Sequence, residues 1–312
     1  MRPMPPLRAV ILLNPTAANG RAGRLAAPLA ALSSTDVEVV VPHAAAHVEE
    51  LARDAARDGL RVIAAGGDGT VQAVINGVMA AATPAELGIV PVGSGNDLAR
   101  SLRLPRAMPR ALEFALRGAA TLVDLGRAHA GGESRWFGSA AGVGFDALLA
   151  TAMAGKRRAW QRGRLGYLST TLNELRRARN RPVRIRAEGD DGATAHEERT
   201  VLLAVVANGA YYGGGMRIAP TALVTDGRFD LITIGDVSRR TALAQLPRLY
   251  RGTHLNHPAV DGSRAGWVEI EPLDGEPLAL HLDGEPWQAA PVRLELHPGA
   301  VAVARPAAAT IG

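Results

Sequence analysis

The chain has 312 residues, 47% of them apolar and 21% charged, which is long enough for two domains and apolar enough to bury a core in each. Cysteine is absent, so disulfide scaffolds, thiolate nucleophiles and cysteine-ligated zinc are excluded, and the composition excludes a disordered chain. The net charge of +5 is concentrated: residues 156–186 hold eleven basic residues and one acid, Glu174, so this segment is +10 and the remainder sums to −5.

Residues 9–13 are apolar and β-branched and read as a strand, 23–31 are rich in Ala and Leu, and 37–41 form a second strand run. Within 46–57, Val48, Leu51, Ala52 and Ala55 recur at helical spacing. A short buried strand follows at 62–65, a helix at 70–81 and a fourth strand at 87–90. Strands alternating with helices predict βαβ units and an α/β nucleotide-binding type of domain with a parallel sheet, whose ligands bind at the carboxyl ends of the strands. Near residue 128 the rhythm changes. After one helical stretch at 165–178, strand runs recur at 183–187, 200–207, 229–234, 267–270, 278–282 and 292–296. Turn words such as Asp190-Asp191-Gly192 and Asp226-Gly227 punctuate them, which predicts a second, β-rich, sandwich-like domain. The expected division is 1–127 and 128–297, with 306–312 a frayed tail.

No segment reads as a membrane span. The longest uncharged stretch, 200–216, carries an apolar core only at 201–207, whereas a span needs roughly 20 apolar residues. Residues 1–8 show no signal-peptide pattern, so a soluble cytoplasmic protein is expected. The basic segment 156–186, with Trp160 and Tyr167, suits an anionic partner such as a membrane surface; its plainer reading is a solvated arginine-rich helix.

Three glycine-rich turns follow three of the expected strands. Asn14-Pro15-Thr16-Ala17-Ala18-Asn19-Gly20 follows the first, Gly66-Gly67-Asp68-Gly69-Thr70 the third and Gly93-Ser94-Gly95-Asn96-Asp97 the fourth. Each lies where a strand gives way to a helix, with main-chain N–H groups free to face an anion. Three such turns on one sheet suit a phosphate-rich ligand. The Walker sequence is missing, and the single lysine of the chain is Lys156, which excludes a P-loop NTPase.

The spelling of these turns, with Gly93-Ser94-Gly95-Asn96-Asp97-Leu98-Ala99-Arg100, resembles the diacylglycerol kinase catalytic family, which includes bacterial lipid kinases and the sphingosine and ceramide kinases. Further words in the family's order are Gly142-Val143-Gly144-Phe145-Asp146-Ala147, the run 208–220 beginning Asn208-Gly209, Asp226-Gly227-Arg228-Phe229-Asp230, and Asp283-Gly284-Glu285. The resemblance covers nearly the whole chain. It implies a two-domain lipid kinase architecture, with about 298–312 returning to the first domain. ATP phosphates would lie on Asn14, Pro15 and Thr16, on Gly66, Gly67, Asp68, Gly69 and Thr70, and on Gly93, Ser94, Asn96 and Asp97. Asp68, Asp97 and Asp124 would organise a catalytic magnesium ion (Mg²⁺), directly or through water. A structural magnesium would be held by Asp226 and the carbonyls of Leu223 and Arg228. Taken by itself, the Asp226-Gly227 turn reads as a plain hairpin in preference to an ion site. Departures from the family pattern are Ala17-Ala18 in the first turn, Val41-Pro42-His43 after the second strand, and Ala73 where an acid is frequent.

The resemblance implies transfer from ATP to a lipid hydroxyl, that of diacylglycerol first, at a membrane surface with anionic lipid favoured. Nucleic acid is not an expected partner, and the assembly state, a homodimer included, stays open. A soluble acceptor, as in NAD kinases that share the Gly-Gly-Asp-Gly word, and a non-catalytic nucleotide- or lipid-binding regulator are the alternatives. Phosphoryl transfer needs a group that takes the acceptor's proton, and this role falls to Asp283 or Glu285, with Asp68 the third catalytic acid. The near-duplicate Asp274-Gly275-Glu276 is read as a plain turn. His254 and His257 lack a third ligand and read as loop residues, and Tyr211-Tyr212 as the wall of a site.

Overall fold

The structure, a computed structural model, describes residues 8–17, 20–31, 36–154 and 164–306. Asn19, residues 307–312 and, in the basic segment, Lys156, Arg157, Arg158, Trp160 and Arg162 lie outside the described residues, as do the side chains of Arg164 and Tyr167. The chain divides into two compact units, Met1–Val123 with Gly299–Gly312, and Asp124–Pro298.

The first unit runs β1 (Ala9–Leu13), α1 (Ala26–Ala30), β2 (Val37–Val40), α2 (Ala45–Arg57), β3 (Arg61–Gly66), α3 (Asp68–Ala80), β4 (Glu86–Pro91), α4 (Asp97–Ser101) and α5 (Met108–Arg117). Its strands pair in parallel in the order β2-β1-β3-β4, with Ala9 opposite Val37 and Arg61, and Val62 opposite Leu87. Every residue of β1 and β3 is buried, as expected of central parallel strands covered on both faces. Helices α2 and α3 approach closely because Gly77 has no side chain: a Cβ there would lie 2.3 Å from the Glu49 carbonyl oxygen. The helix expected at 23–31 shrinks to a 3₁₀ turn at Arg21–Leu25 and five α residues around Pro28, whose ring removes an N–H from so short a helix. Helix α5 was not expected. It lays Ala111 and Ala115 on the sheet, where the Gly88 backbone makes room for Ala115.

The second unit contains β5 (Ala120–Ala130, its first four residues in the first unit), β6 (Glu133–Phe137), β7 (Ala140–Gly144), α6 (Phe145–Ala154), α7 (Arg164–Arg177), β8 (Arg181–Glu188), β9 (Thr194–Val201), β10 (Leu203–Ala207), β11 (Phe229–Ile234) and α8 (Arg239–Arg251). It ends with β12 (Val260–Ala265), β13 (Trp267–Pro272), β14 (Leu278–Leu282), β15 (Glu285–Ala290) and β16 (Val292–Ala304). One antiparallel sheet has the order β12-β11-β10-β7-β14-β15. Opposite it, β16, β13, β8 and β9 pair antiparallel in that order, and β5 and β6 form a hairpin joined to β16.

Alternation along the strands splits the six-stranded sheet between two cores. Ala204 and Val206 of β10, and Phe229 and Leu231 of β11, join Val183, Ile185, Val268 and Ile270 from the other sheet in the sandwich interior. Leu203, Val205 and Ile232 point the opposite way, toward Leu175 and Ala178 near α7 and Leu249 of α8. Phe137 stacks on Phe229 with ring centroids 5.8 Å apart, and Gly126 opposite Phe137 leaves the ring its place. The strand expected at 200–207 is two strands. Leu202 breaks the run: β9 pairs with β8, and beyond Leu202 the chain joins β11 and β7 in the other sheet. The last residues of β16, Ala302 and Val303, belong to the first unit and pair in parallel with Glu86 and Leu87 of β4.

Among the described residues no helix is long and apolar enough to cross a membrane. The basic segment is also less of a patch than its sequence suggests. Within β8, Arg184 pairs with Glu198 of β9 and Glu271 of β13, and Arg186 with Glu269, because strand register sets them opposite acids. Arg181 is likewise taken up by Asp274.

Candidate active site

In the first unit the three glycine turns are fastened to one another. Asn14, just beyond β1, donates Nδ2 to Thr70 Oγ1 at 2.9 Å, while its Oδ1 accepts from the Thr16 main-chain N–H at 3.0 Å and from Thr16 Oγ1 at 2.7 Å. One amide therefore bonds the first turn to the second. Pro15 is half-buried, and Thr16 and Ser94 are exposed. Gly66 and Gly93 are required by space. A Cβ on Gly66 would lie 2.3 Å from Thr70 Oγ1, and one on Gly93 would lie 2.4 Å from Gly67 Cα.

Across this backbone contact sits Asp68, which with Gly69 opens α3. Its Oδ2 accepts the Asn96 N–H at 2.8 Å and its Oδ1 the Asp97 N–H at 2.6 Å. The third turn holds its shape through Asn96, in left-handed backbone at φ +57°, whose Oδ1 accepts the Gly93 N–H and whose Nδ2 donates to the Gly93 carbonyl. Arg100 Nε donates to the Gly95 carbonyl at 2.7 Å. Asp97, opening α4, is buried. Asp68 keeps part of its surface open, yet desolvation raises its carboxyl above the usual carboxylate range, outweighing the Asp97 and Asn96 N–H groups and the Arg100 charge that lower it. A carboxyl perturbed by desolvation beside specific N–H donors marks a candidate functional site.

In the second unit Asp283 and Asp124 belong to one hydrogen-bonded chain, which reaches the loop of Asp226. Asp283 and Gly284, both with positive φ (+51° and +86°), form the two-residue turn between β14 and β15. The Asp283 carboxylate accepts three main-chain N–H groups, from Gly138 and Ser139 at 2.7 Å and from Ala140 at 3.0 Å. It pins the connection between β6 and β7. Glu285, two residues on, is exposed. On the other side of that connection lies Asn208, fully buried, whose Nδ2 donates to the Gly138 carbonyl at 2.7 Å and to the Asp124 carbonyl at 2.8 Å. Asp124 in turn donates its N–H to the Val224 carbonyl and accepts the Gly227 N–H at 2.8 Å through Oδ2. Asp124 is thus bonded to the loop of Leu223, Asp226 and Arg228. In that loop Asp226 accepts the Arg228 N–H at 3.2 Å and pairs with the Arg264 guanidinium.

Sequence reasoning missed a second element of this network. His281 and Asp146 are both buried, with His281 Nε2 3.1 Å from Asp146 Oδ2, and the Gly284 N–H points at His281 Nδ1 from 3.2 Å. That N–H makes Nδ1 the acceptor, which leaves the proton on Nε2 for Asp146. Gly142 is the space for the pair: a Cβ there would fall 1.9 Å from Asp146 Oδ2. Gly142 and Asp146 share a family-like word, which was the available signal; His281 lies outside any such word. The decoy turn differs sharply. Asp274 is bonded to Arg181, whose guanidinium holds its carboxyl below the usual range. Tyr212, read as a site wall, is a core residue stacked near His281, and only Tyr211 is partly open. His254 and His257 bond to main-chain groups of Ile218 and Ala259.

Among the described residues no three His, Asp or Glu side chains cluster so as to hold a metal by themselves. Within each unit the donors are nevertheless hard oxygens: the carboxylates of Asp68 and Asp97 in the first, and those of Asp124 and Asp226 with main-chain carbonyls in the second. Asn208 Oδ1 adds a buried oxygen without a hydrogen-bond partner among the described residues. Such a set fits magnesium and not a soft metal.

Two family models divide the chain. A diacylglycerol kinase catalytic domain matches residues 8–128, and a YegS C-terminal NAD kinase beta sandwich-like domain matches residues 139–305. A diacylglycerol kinase of Mycobacterium tuberculosis (strain ATCC 25618 / H37Rv) is 33% identical over 307 residues, covering 96% of this chain and 95% of its own. A YegS-like lipid kinase of Chromohalobacter salexigens is 34% identical over 262 residues, covering 82% and 79%. Among solved structures, one from Bacillus anthracis strain Sterne superposes with a TM-score of 0.75 at 24% identity, covering 98% of each chain. A diacylglycerol kinase from the same strain gives 0.70 at 21%, covering 96% of this chain and 97% of that one. At those identities the likeness concerns the fold. Fold and turns are those of a two-domain kinase. The chain belongs to the diacylglycerol kinase catalytic family, in the branch of lipid kinases that carry the YegS-type C-terminal domain.

Proposed function

We propose that the protein transfers the γ-phosphoryl group of ATP to a lipid hydroxyl, that of diacylglycerol, giving phosphatidic acid and ADP. The observation that carries the reading is Asp68: a carboxyl placed at the meeting of two glycine turns, both of whose oxygens accept main-chain N–H groups from the third turn. In this reading the turns at Asn14–Thr16, Gly66–Thr70 and Gly93–Asp97 bind the phosphates through main-chain N–H groups. Asp68, Asp97 and Asp124 hold magnesium, directly or through water, and Asp226 with the Leu223 and Arg228 carbonyls holds a second, structural ion. Bound magnesium neutralises charge on the phosphoryl oxygens.

The acceptor hydroxyl must lose its proton as the phosphoryl group arrives. Glu285 takes it in this reading, because its carboxylate is exposed, whereas both oxygens of Asp283 already accept N–H groups. Asp283 then fixes the turn from which Glu285 projects. The protein works peripherally on the inner face of the membrane. The test is transfer of labelled γ-phosphate to a panel of lipids in mixed micelles, with NAD as the soluble acceptor control. Labelled phosphatidic acid is the expected product; labelled NADP without labelled lipid overturns the reading.

A further inference from the structure

Helix α8 has no part in either acid network, yet its surface is unusually one-sided. Ser238 caps it, its hydroxyl accepting the Thr241 N–H, and Gly252 ends it in left-handed backbone. Between them lie four arginines and no acid: Arg239, Arg240, Arg248 and Arg251. The inner side packs Ala242 and Leu249 against the core. Residues 240, 243, 244, 247, 248 and 251 are all exposed, and their spacing of three and four puts them on one outward face. That face has Leu243, Ala244 and Pro247 in its middle, with Arg240 at one end and Arg248 and Arg251 at the other. Leu243 is 40% exposed and Tyr250, two turns further on, 47%, so α8 carries two of the six exposed large hydrophobic side chains among the described residues.

The surroundings continue the charge. Arg239 reaches the Ala178 carbonyl at the end of α7, and Arg179 and Arg239 line one shallow groove there. Arg176 and Arg179 are exposed. The arginines of β8, and Arg293 of β16, are matched by acids, but among the described residues none of Arg176, Arg179, Arg239, Arg240, Arg248 and Arg251 makes an ion pair. Arginines left without acids around an exposed apolar strip are the pattern of a helix lying in a bilayer interface, the strip among acyl chains and the guanidinium groups at anionic headgroups.

We infer that α8, with the end of α7, is the surface by which this protein docks on an anionic bilayer, an inference that rests on the lipid-kinase reading for its purpose but not for its test. Exposed apolar side chains favour a bilayer over a nucleic acid, which would meet the arginines alone.

The full chain is sedimented with vesicles of phosphatidylcholine, with and without phosphatidylglycerol, and compared with the triple variant Arg240→Glu/Arg248→Glu/Arg251→Glu and with Leu243→Ser. Each basic group near an anionic surface contributes about 1 kcal/mol, so three reversals should weaken binding to anionic vesicles more than a hundredfold at low salt. Leu243→Ser should weaken it several-fold at every salt concentration. All these side chains are exposed, so unchanged circular dichroism and melting are expected. Arg110→Glu in α5 should bind as the parent does. Wild-type binding by the folded triple variant, equal parent binding to neutral vesicles, or displacement of the protein from vesicles by a DNA duplex at matched charge each overturns the inference. Phosphoryl transfer to a short-chain, monomeric diacylglycerol separates the two ideas. If no form of the protein phosphorylates it while vesicle binding falls as stated, the kinase reading fails and the docking surface stands.

Discussion

The two units build function from opposite materials. In the first, the candidate site is made of consecutive residues: three short turns, each at the end of a strand, brought together because β1, β3 and β4 are neighbours in a parallel sheet. In the second, residues 124, 138, 208, 227 and 283 are far apart in sequence and meet where the side chains of Asp124, Asn208 and Asp283 bond main-chain groups. The first arrangement is robust to loss of any one hydrogen bond, because glycine geometry and sheet order set it. The second is a relay, and breaking one link should loosen the others.

Asp68→Ala tests the first material most severely. It removes the proposed organiser of metal and phosphates, so turnover should fall at least a few-hundredfold, as for loss of a charged transition-state group, with the fold retained on circular dichroism. Full turnover in the folded variant excludes the site.

The turn at 283–285 separates chemistry from structure. Glu285→Gln should cut turnover roughly a hundredfold or more without moving the urea midpoint. Asp283→Asn should do both, since a charged acceptor of three N–H groups is lost; charge-assisted bonds contribute about 1.5–3 kcal/mol each at most. Glu276→Gln in the decoy turn should change neither. A stable Asp283→Asn with normal turnover, beside a dead Glu276→Gln, would reverse the choice of turn.

Asn208→Ala addresses the relay directly. Two buried carbonyls, those of Asp124 and Gly138, lose their donor, which should destabilise the second unit by about 2–3 kcal/mol on urea unfolding, with ATP binding by calorimetry unchanged. Asp226→Ala is milder: it should remove the rise in melting temperature that magnesium gives the parent, because an ion bound only by the folded form stabilises it.

The smallest effect is one of pH. Burial lowers the pKa of His254, with the Ile218 carbonyl opposing, so the native state resists its protonation. The associated stability is complete above the unfolded value of about 6.5 and is lost as pH falls through the lower folded value. His254→Gln should flatten the loss of melting temperature on acidification; a slope identical to the parent's would assign it to other groups, with His297, lowered likewise by burial, next in line.

This contrast also explains what could be read in advance. The α/β alternation, the glycine turns and Asp68 were legible because period, punctuation and chemistry coincide within a few residues. The strand at 278–282 was equally plain. The hidden parts were those fixed by distant partners. Asn208 sits in a recognisable word but reveals its task only when Gly138 and Asp124 close on it. His281 looks like any strand residue until Gly142 leaves it room to face Asp146. The +10 run reads as one patch because sequence does not disclose that β8 lies beside the glutamates of β9 and β13. Helix α8 was masked by Pro247, a breaker in sequence that its helix accommodates.

One pairing sets an order of events in synthesis. Strand β4 is bounded on one side by β3 and on the other by Ala302 and Val303. On a ribosome, the first unit therefore has its glycine turns and four of its strands long before its sheet can close, and the whole second unit must emerge in between. Until then the main-chain groups of β4 present an unfinished edge, open to pairing with any passing strand. Ribosome-bound chains stopped before residue 300 should accordingly be protease-sensitive and prone to aggregate, and extension past residue 304 should relieve both.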